Sequence, residues 1–219
     1  MADHLEIEQK FDVDADFRRP DFGGLRAGPR GTGGEGIAAA APALHLLSAT
    51  YFDTPDGALA AGKITLRRRT GGTDEGWHLK LPGGGALPAG AQLPAGVSSR
   101  LEVQAPLAAS PADVVPEGLA ARVAEVTGGR PLRPIATLDT ERTVVALTAR
   151  DGRLLAEIAD DVVTARRLPA SAEPLRWREI EVEVPVSAPG LQQAAADLLL
   201  AAGARPAGHG SKLARLLNS

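Results

Sequence analysis

Charged and apolar residues alternate in step along several short stretches of this chain. In Leu5–Val13, Glu6, Glu8 and Lys10 fall on one side of an extended backbone and Leu5, Ile7, Gln9 and Phe11 on the other. That is the two-residue period of a β-strand. The period recurs further on. Arg67 and Arg69 share a face while Arg68 takes the other, and His78 and Lys80 oppose Trp77, Leu79 and Leu81. Arg100, Glu102 and Gln104 oppose Leu101 and Val103; Thr140 and Arg142 align, with Val144 next. Glu157, Ala159 and Asp161 align, and Glu179, Glu181 and Glu183 oppose Ile180, Val182 and Val184.

The pattern predicts strands over Leu5–Val13, Leu44–Phe52, Ile64–Thr70, Trp77–Leu81, Arg100–Pro106, Pro134–Asp139, Thr140–Arg150, Arg153–Ala165 and Trp177–Val186. Asp14–Gly36 reads as loop with a short turn at Phe22–Leu25, and Pro82–Gly96 as a Gly/Pro/Ala loop. Asp53–Gly57 and Gly71–Gly76 carry turn chemistry. A helix is predicted over Ser110–Thr127, with Ser110 as N-cap, Pro111 at the first helical position and Gly128-Gly129 as the stop. The best helical periodicity lies in Gly190–Gly203, and Leu213–Leu217 is a short apolar tail. There is no internal repeat. Strands dominate, so the class is α+β, built on an antiparallel sheet or barrel.

Each alternating stretch alone fits a half-buried sheet with one wet face. Together they show segregation. Glu179, Glu181 and Glu183 stand at ~7 Å intervals along one strand face and repel one another unless a cation lies among them. Glu6 and Glu8 add a second acidic strand, while the basic residues gather elsewhere. Carboxylates suit hard cations and Arg and Lys suit phosphate oxygens, so the pattern is that of a site for a metal–polyanion complex. If these faces turn toward one another, the barrel is inside out: charged within, apolar without, its outer faces covered by the helices at Ser110–Thr127 and Leu191–Gly203.

The whole-chain quantities remove competing classes. The 219 residues suit one domain. The net charge of -3 and an aromatic content of 3% offer nothing to nucleic acid or an anionic membrane. With no cysteine there is no thiolate chemistry, and a reducing compartment fits. No signal peptide is visible, and the apolar stretch at Ala194–Ala202 is too short to span a bilayer; a cytoplasmic protein is expected. GTGGEG at Gly31–Gly36 fits a dinucleotide fingerprint only as letters, because no strand precedes it. His4, His45, His78 and His209 show no metal-ligand spacing. His78 and His209 are read mainly as polar neighbours of the lumen and its mouth. Arg19, Arg26 and Arg30 read as a solvated loop.

In this order the motifs resemble the CYTH superfamily, the triphosphate tunnel metalloenzymes. ExExK at Glu6, Glu8 and Lys10 is followed by TYFDT at Thr50–Thr54, LRRR at Leu66–Arg69 and WHLKLP at Trp77–Pro82. RLE at Arg100–Glu102, Arg142, EIEVEV at Glu179–Val184 and GSKLARLL at Gly210–Leu217 complete the series. The LRRRTGG…GWHLKLP run is similar to the actinobacterial branch, where a helical, polyphosphate-associated CHAD domain often follows; none follows within these 219 residues, and a stand-alone member and an excised domain are both open.

The resemblance implies an eight-stranded antiparallel barrel, one domain over 1–219, with residues 205–219 as a tail closing the tunnel. It implies Mg²⁺ or Mn²⁺ at two sites, held by Glu6, Glu8, Glu179, Glu181 and the deeper Glu183, with Glu102 and Asp161 at the second. Asp160 is on the wrong face for this if the strand is regular; a bulge would swap it with Asp161. Lys10, Arg67, Arg69, Lys80, Arg100, Arg142 and Lys212 would line the phosphate path. The implied reaction is hydrolysis of a phosphoanhydride by metal-activated water, with Lys80, Glu102 and Asp161 as catalytic residues and Lys80 protonating or neutralising the leaving oxygen. Inorganic tripolyphosphate leads as substrate. The alternatives are class IV-type adenylate cyclization and a non-catalytic polyphosphate-binding module. Monomer and homodimer are both open.

Overall fold

The computed structural model describes residues 2–27, 35–83, 93, 96–169, 173–185 and 189–219. Its frame is eight strands: β1 (Ala2–Val13), β2 (Ala43–Asp53), β3 (Thr65–Thr70), β4 (Gly76–Pro82), β5 (Val97–Ala105), β6 (Arg133–Thr148), β7 (Leu154–Arg167) and β8 (Leu175–Val184). Around the barrel the order is β1-β5-β4-β3-β2-β6-β7-β8 and back to β1, every pairing antiparallel. Closure leaves no long free edge. Short strands decorate it: Arg26–Ala27 pairs Glu35–Gly36, Ala38–Ala39 adds to β6, and Arg205–Pro206 adds to β1.

The expected barrel is therefore present, with some boundaries moved. Pro134–Asp139 and Thr140–Arg150, predicted as two strands, form the single strand β6. No Gly or Pro separates them, and Asp139 and Thr140 pair continuously with β2 on one side and β7 on the other. Val186, the predicted end of the last strand, lies outside the described residues, as do Gly31–Gly34 and most of Pro82–Gly96. The predicted helix Ser110–Thr127 is instead two short ones, α2 (Glu117–Arg122) and α3 (Ala124–Thr127). Pro116 stands at the N-cap of α2, and a proline forces the residue before it out of the helical region, so the helix starts there and not at Ser110. Gly128 ends α3 at φ 60°, as expected. The turn at Asp53–Gly57 continues into α1 (Ala58–Ala61), held by Asp53, whose buried carboxylate accepts from the Thr54, Leu59 and Ala60 N–H groups.

Three apolar clusters show why the alternation runs inside out. The outer faces of β1, β7 and β8, with Ile7, Phe11, Ile158, Ile180 and Val182, pack under Leu191, Ala195 and Leu199 of α4 (Pro189–Ala201). On the opposite side, Leu66, Trp77, Leu79 and Val103 of β3, β4 and β5 pack with Phe52, Leu119 and Val123. The third cluster is inside the barrel, at one end. There Ala49, Tyr51, Leu138, Val163 and Trp177, on the same faces as the lumen charges, surround Leu213 and Leu216 of α5 (Lys212–Leu217). The apolar tail is thus a helix, N-capped by Ser211 and inserted into the barrel end. Arg215 adds an ion pair with Asp12 and lies 5.0 Å from the centre of the Trp177 ring.

Candidate active site

Strand register converts the scattered motifs into one site. Lys10 lies opposite Glu181 and Glu8 opposite Glu183 across β1 and β8. Glu6 pairs with Arg100, Lys80 with Glu102, Arg67 with His78 and Arg142 with Asp161. They enclose a cavity of about 250 Å³. Glu6, Lys10, Arg67, Arg69, Lys80, Arg100, Glu102, Arg142, Glu181, Glu183 and Lys212 all line it. Glu8, Asp161 and Glu179 lie beneath this surface, at 2%, 0% and 0% exposure. The accessible end is marked by His4, Asp74 and Glu157; the other end is filled by α5.

One part of this site is already neutralised. Lys212 Nζ sits 2.8 Å from a carboxylate oxygen of each of Asp161, Glu179 and Glu181. Arg142 makes a two-pronged contact with Asp161, at 2.8 and 2.6 Å, and reaches Glu181 at 2.6 Å. Lys10 bonds Glu8 at 2.6 Å and also Glu181, while Arg100 pairs with Glu8 and Lys80 with Glu6. Burial alone would raise the Glu181 carboxyl, but Lys10, Lys212 and Arg142 hold it well below the usual carboxylate range. Against the same burial penalty, Lys10, Lys80 and Arg100 bring Glu8 down to about 2, and Lys212 and His209 do so for Glu179.

Elsewhere, charges are left without protein partners. Among the described residues no hydrogen bond or ion pair reaches Glu183, and burial with Glu6 and Glu8 nearby pushes its carboxyl up to about 7. Glu6 Oε2 is buried and unpartnered. On the basic side, Arg67 donates to Tyr51 Oη at 3.2 Å, and its Nε is buried and free, as is that of Arg69.

The histidines contribute more than their spacing suggested. His78 is 1% exposed. Its Nδ1 is 2.6 Å from Glu102 Oε1, and its Nε2 donates to the Asp74 carbonyl at 2.9 Å. His4 Nε2 is 3.0 Å from Glu102 Oε2, and His209 Nε2 is 3.3 Å from Glu179. Sequence reading also missed Tyr51 and Asp74, and only the turn signal at Gly71–Gly76 hinted at Asp74. Asp160 and Asp161 face opposite sides of the barrel wall. Pairing with β8 is regular there, so Asp161 faces the lumen and Asp160 faces outward onto Arg178, with two contacts of 2.8 Å. Glu102 and Asp161 are not brought together: Asp161 clusters with Glu179 and Glu181, and Glu102 with His4, His78 and Lys80.

The donor set fits a divalent cation. One oxygen each from Asp161, Glu179 and Glu181 lie within 4.8 Å of one another, around the Lys212 ammonium that a cation there would displace, and Glu6 offers a free buried oxygen. All are hard oxygen donors.

Fold and site together define an antiparallel barrel whose lumen holds paired acidic and basic walls. Residues 4–215 match the CYTH domain, and the chain belongs to that family. Uncharacterized proteins Rv2226 and MT2285 of Mycobacterium tuberculosis (strains ATCC 25618 / H37Rv and CDC 1551 / Oshkosh) are 41% identical over 232 residues. The match covers all of this chain, which spans 41% of the length of those relatives. Among solved structures, a candidate adenylate cyclase of Bacillus halodurans superposes with a TM-score of 0.58 at 19% identity, covering 98% of both chains. HpAC1 of Hippeastrum, an adenylyl cyclase candidate with a dominant triphosphatase activity, gives 0.55 at 19% identity, covering 97% of this chain and 95% of its own. Among the described residues no helix is long and apolar enough to cross a membrane.

Proposed function

We propose that this chain is a divalent-metal-dependent hydrolase of triphosphate compounds, with inorganic tripolyphosphate as the best-fitting substrate. The observation that carries the reading is the enclosed lumen, in which a row of cations faces one free carboxylate oxygen of Glu6 and a Glu183 carboxyl that has no hydrogen bond or ion pair among the described residues. Mg²⁺ or Mn²⁺ would be held by carboxylates from Glu6, Glu8, Glu179, Glu181, Glu183 and Asp161, with Glu102 serving a second position. Bound there, such an ion supplies charge neutralisation and a water of lowered pKa.

The chain's own groups do the positioning. Arg67, Arg69, Arg100 and Arg142 present planar N–H donors from surrounding strands, the geometry that matches phosphate oxygens. Lys10 and Lys212 add point charges at the inner end. Lys80, next to Glu6 and 3.9 Å from Glu102, is placed to neutralise or protonate a leaving oxygen. The plug of Leu213 and Leu216 against Val163 and Trp177 excludes water behind the site, which strengthens every charge interaction within it. Residues 205–219 thereby act as the closing tail.

One observation favours adenylate cyclization as a second reading. Thr65, Arg100 and Ser211 also line a second cavity, of about 510 Å³, walled mainly by apolar groups such as Ile64, Leu213 and Leu217. It could take the organic part of a nucleotide. The deciding experiment is phosphate release from tripolyphosphate with Mg²⁺ or Mn²⁺, for wild type and Glu6→Ala/Glu8→Ala, beside cyclic nucleotide formation from ATP. Rapid release, dependent on metal and at least ~100-fold slower in the folded double variant, is expected. Absence of release with either metal would end the hydrolase reading.

A further inference from the structure

The tunnel has one closed end and one accessible end, and the accessible end carries a residue that no role above uses. Asp74 lies in the hairpin between β3 and β4. The hairpin is pinned by its glycines. At Gly71, with φ 79°, a Cβ would stand 2.1 Å from the Leu46 carbonyl oxygen, and at Gly76 2.7 Å from that of Ala105. Only glycine allows approaches this close. Asp74 is then held by both its backbone and its side chain. Its carbonyl accepts from His78 Nε2 at 2.9 Å and Arg69 Nη2 at 3.3 Å, and its carboxylate pairs with the same Arg69 nitrogen. Arg69 is buried, with 4% of its side chain exposed, while that of Asp74 is 52% exposed.

Arg67 and Arg69, two residues apart on one face of β3, run toward the accessible end, and the Asp74 carboxylate sits on the outer of the two. We propose that Asp74 is a specificity-determining residue: it ends the phosphate path at Arg69 and disfavours chains longer than the tunnel holds. This rests on the phosphate-binding reading above. A phosphate chain anchored at Lys10 and Arg142 is blocked straight ahead by Leu213 and Leu216, and the side cavity beside α5 is walled mainly by apolar groups, so a longer chain leaves through the accessible end. There its next phosphate meets a fixed carboxylate and an arginine already paired with it. Like charges at such a distance repel even when partly screened.

The test is titration calorimetry with tripolyphosphate and with a long linear polyphosphate, each with Mg²⁺ and with chelator. Wild type, Asp74→Asn and Glu75→Gln are compared. Glu75→Gln makes the same charge change one residue along, at an exposed position. Asp74→Asn is expected to raise the affinity for the long chain relative to tripolyphosphate by roughly five- to tenfold, and Glu75→Gln to leave that ratio as in wild type. An unchanged ratio in Asp74→Asn, with tripolyphosphate still bound, would overturn the role of Asp74 and leave the phosphate reading standing. The second cavity beside α5 would then be the nearest space for extra phosphates. A shift of equal size in both variants would reduce the effect to net charge and overturn it too. Binding of neither chain by wild type would remove the phosphate reading and this inference with it.

Discussion

Glu181 and Glu183 stand two residues apart on one face of β8, and their surroundings are opposite. Glu181 is touched by Lys10, Arg142 and Lys212, which hold its carboxyl well below the usual range. Glu183 has no hydrogen bond or ion pair among the described residues, and burial pushes it up to about 7. The sequence around them, EIEVEV, is periodic and offers no reason for the difference. It comes from what each faces: Glu181 lies across from Lys10, while Glu183 lies between Glu8 and Glu157, two more carboxylates. A repeated motif can therefore combine a neutralised charge with an unpaired one.

The largest test of this contrast is Glu181→Gln. It strips three buried cations of a shared carboxylate, and losing one partner of a buried ion pair costs about 3 kcal/mol or more. Urea denaturation in the presence of chelator should show a loss of that size. A loss under ~1 kcal/mol would mean that Glu8, Asp161 and Glu179 already suffice for those cations.

Glu183→Gln should act in the other direction. The folded protein binds the Glu183 proton more tightly than the unfolded chain does, since its pKa rises from 4.5 to about 7. Its contribution is therefore full below pH 4.5 and is lost as pH rises through about 7. Without metal, Glu183→Gln should flatten the fall of stability with pH across that window and be more stable than wild type near pH 8 by roughly 1–2 kcal/mol. Equal pH profiles for the two proteins would contradict the unpartnered state of Glu183.

The smallest effect on activity is expected one strand away. Asp160 and Asp161 are neighbours in sequence but face outward and inward. Asp160→Asn disturbs only the largely buried pair with Arg178, at about 1–3 kcal/mol of stability, and should leave phosphate release unchanged. Asp161→Asn removes a carboxylate from the Lys212 cluster and should abolish most of that release. Similar activities in the two variants would refute the assignment of faces.

Much of the barrel was legible because alternation in period two survives any tertiary arrangement. Glu6, Glu8 and Lys10, or Arg67 and Arg69, are together on a face as soon as the strand forms. The helix over Ser110–Thr127 was misplaced because a proline inside it, Pro116, outweighed the capping signal at Ser110. Asp74 was not visible because its importance lies in a contact with Arg69 across a hairpin, and a half-exposed aspartate in a turn has no periodic signature. The resemblance implies a place for Lys212 beside phosphate, whereas its seat among Asp161, Glu179 and Glu181 depends on α5 entering the barrel end.

By itself the sequence determined the strands, their charged faces, the acidic and basic segregation, and the oxygen and nitrogen donor types available. These are local properties, set by side-chain order and backbone period. Tertiary structure alone decided which charge meets which, because ion pairing depends on cross-strand register and on the depth to which α5 penetrates. The same distances decide whether a carboxylate is neutralised by lysine, as at Glu181, or left without an ion pair among the described residues, as at Glu183.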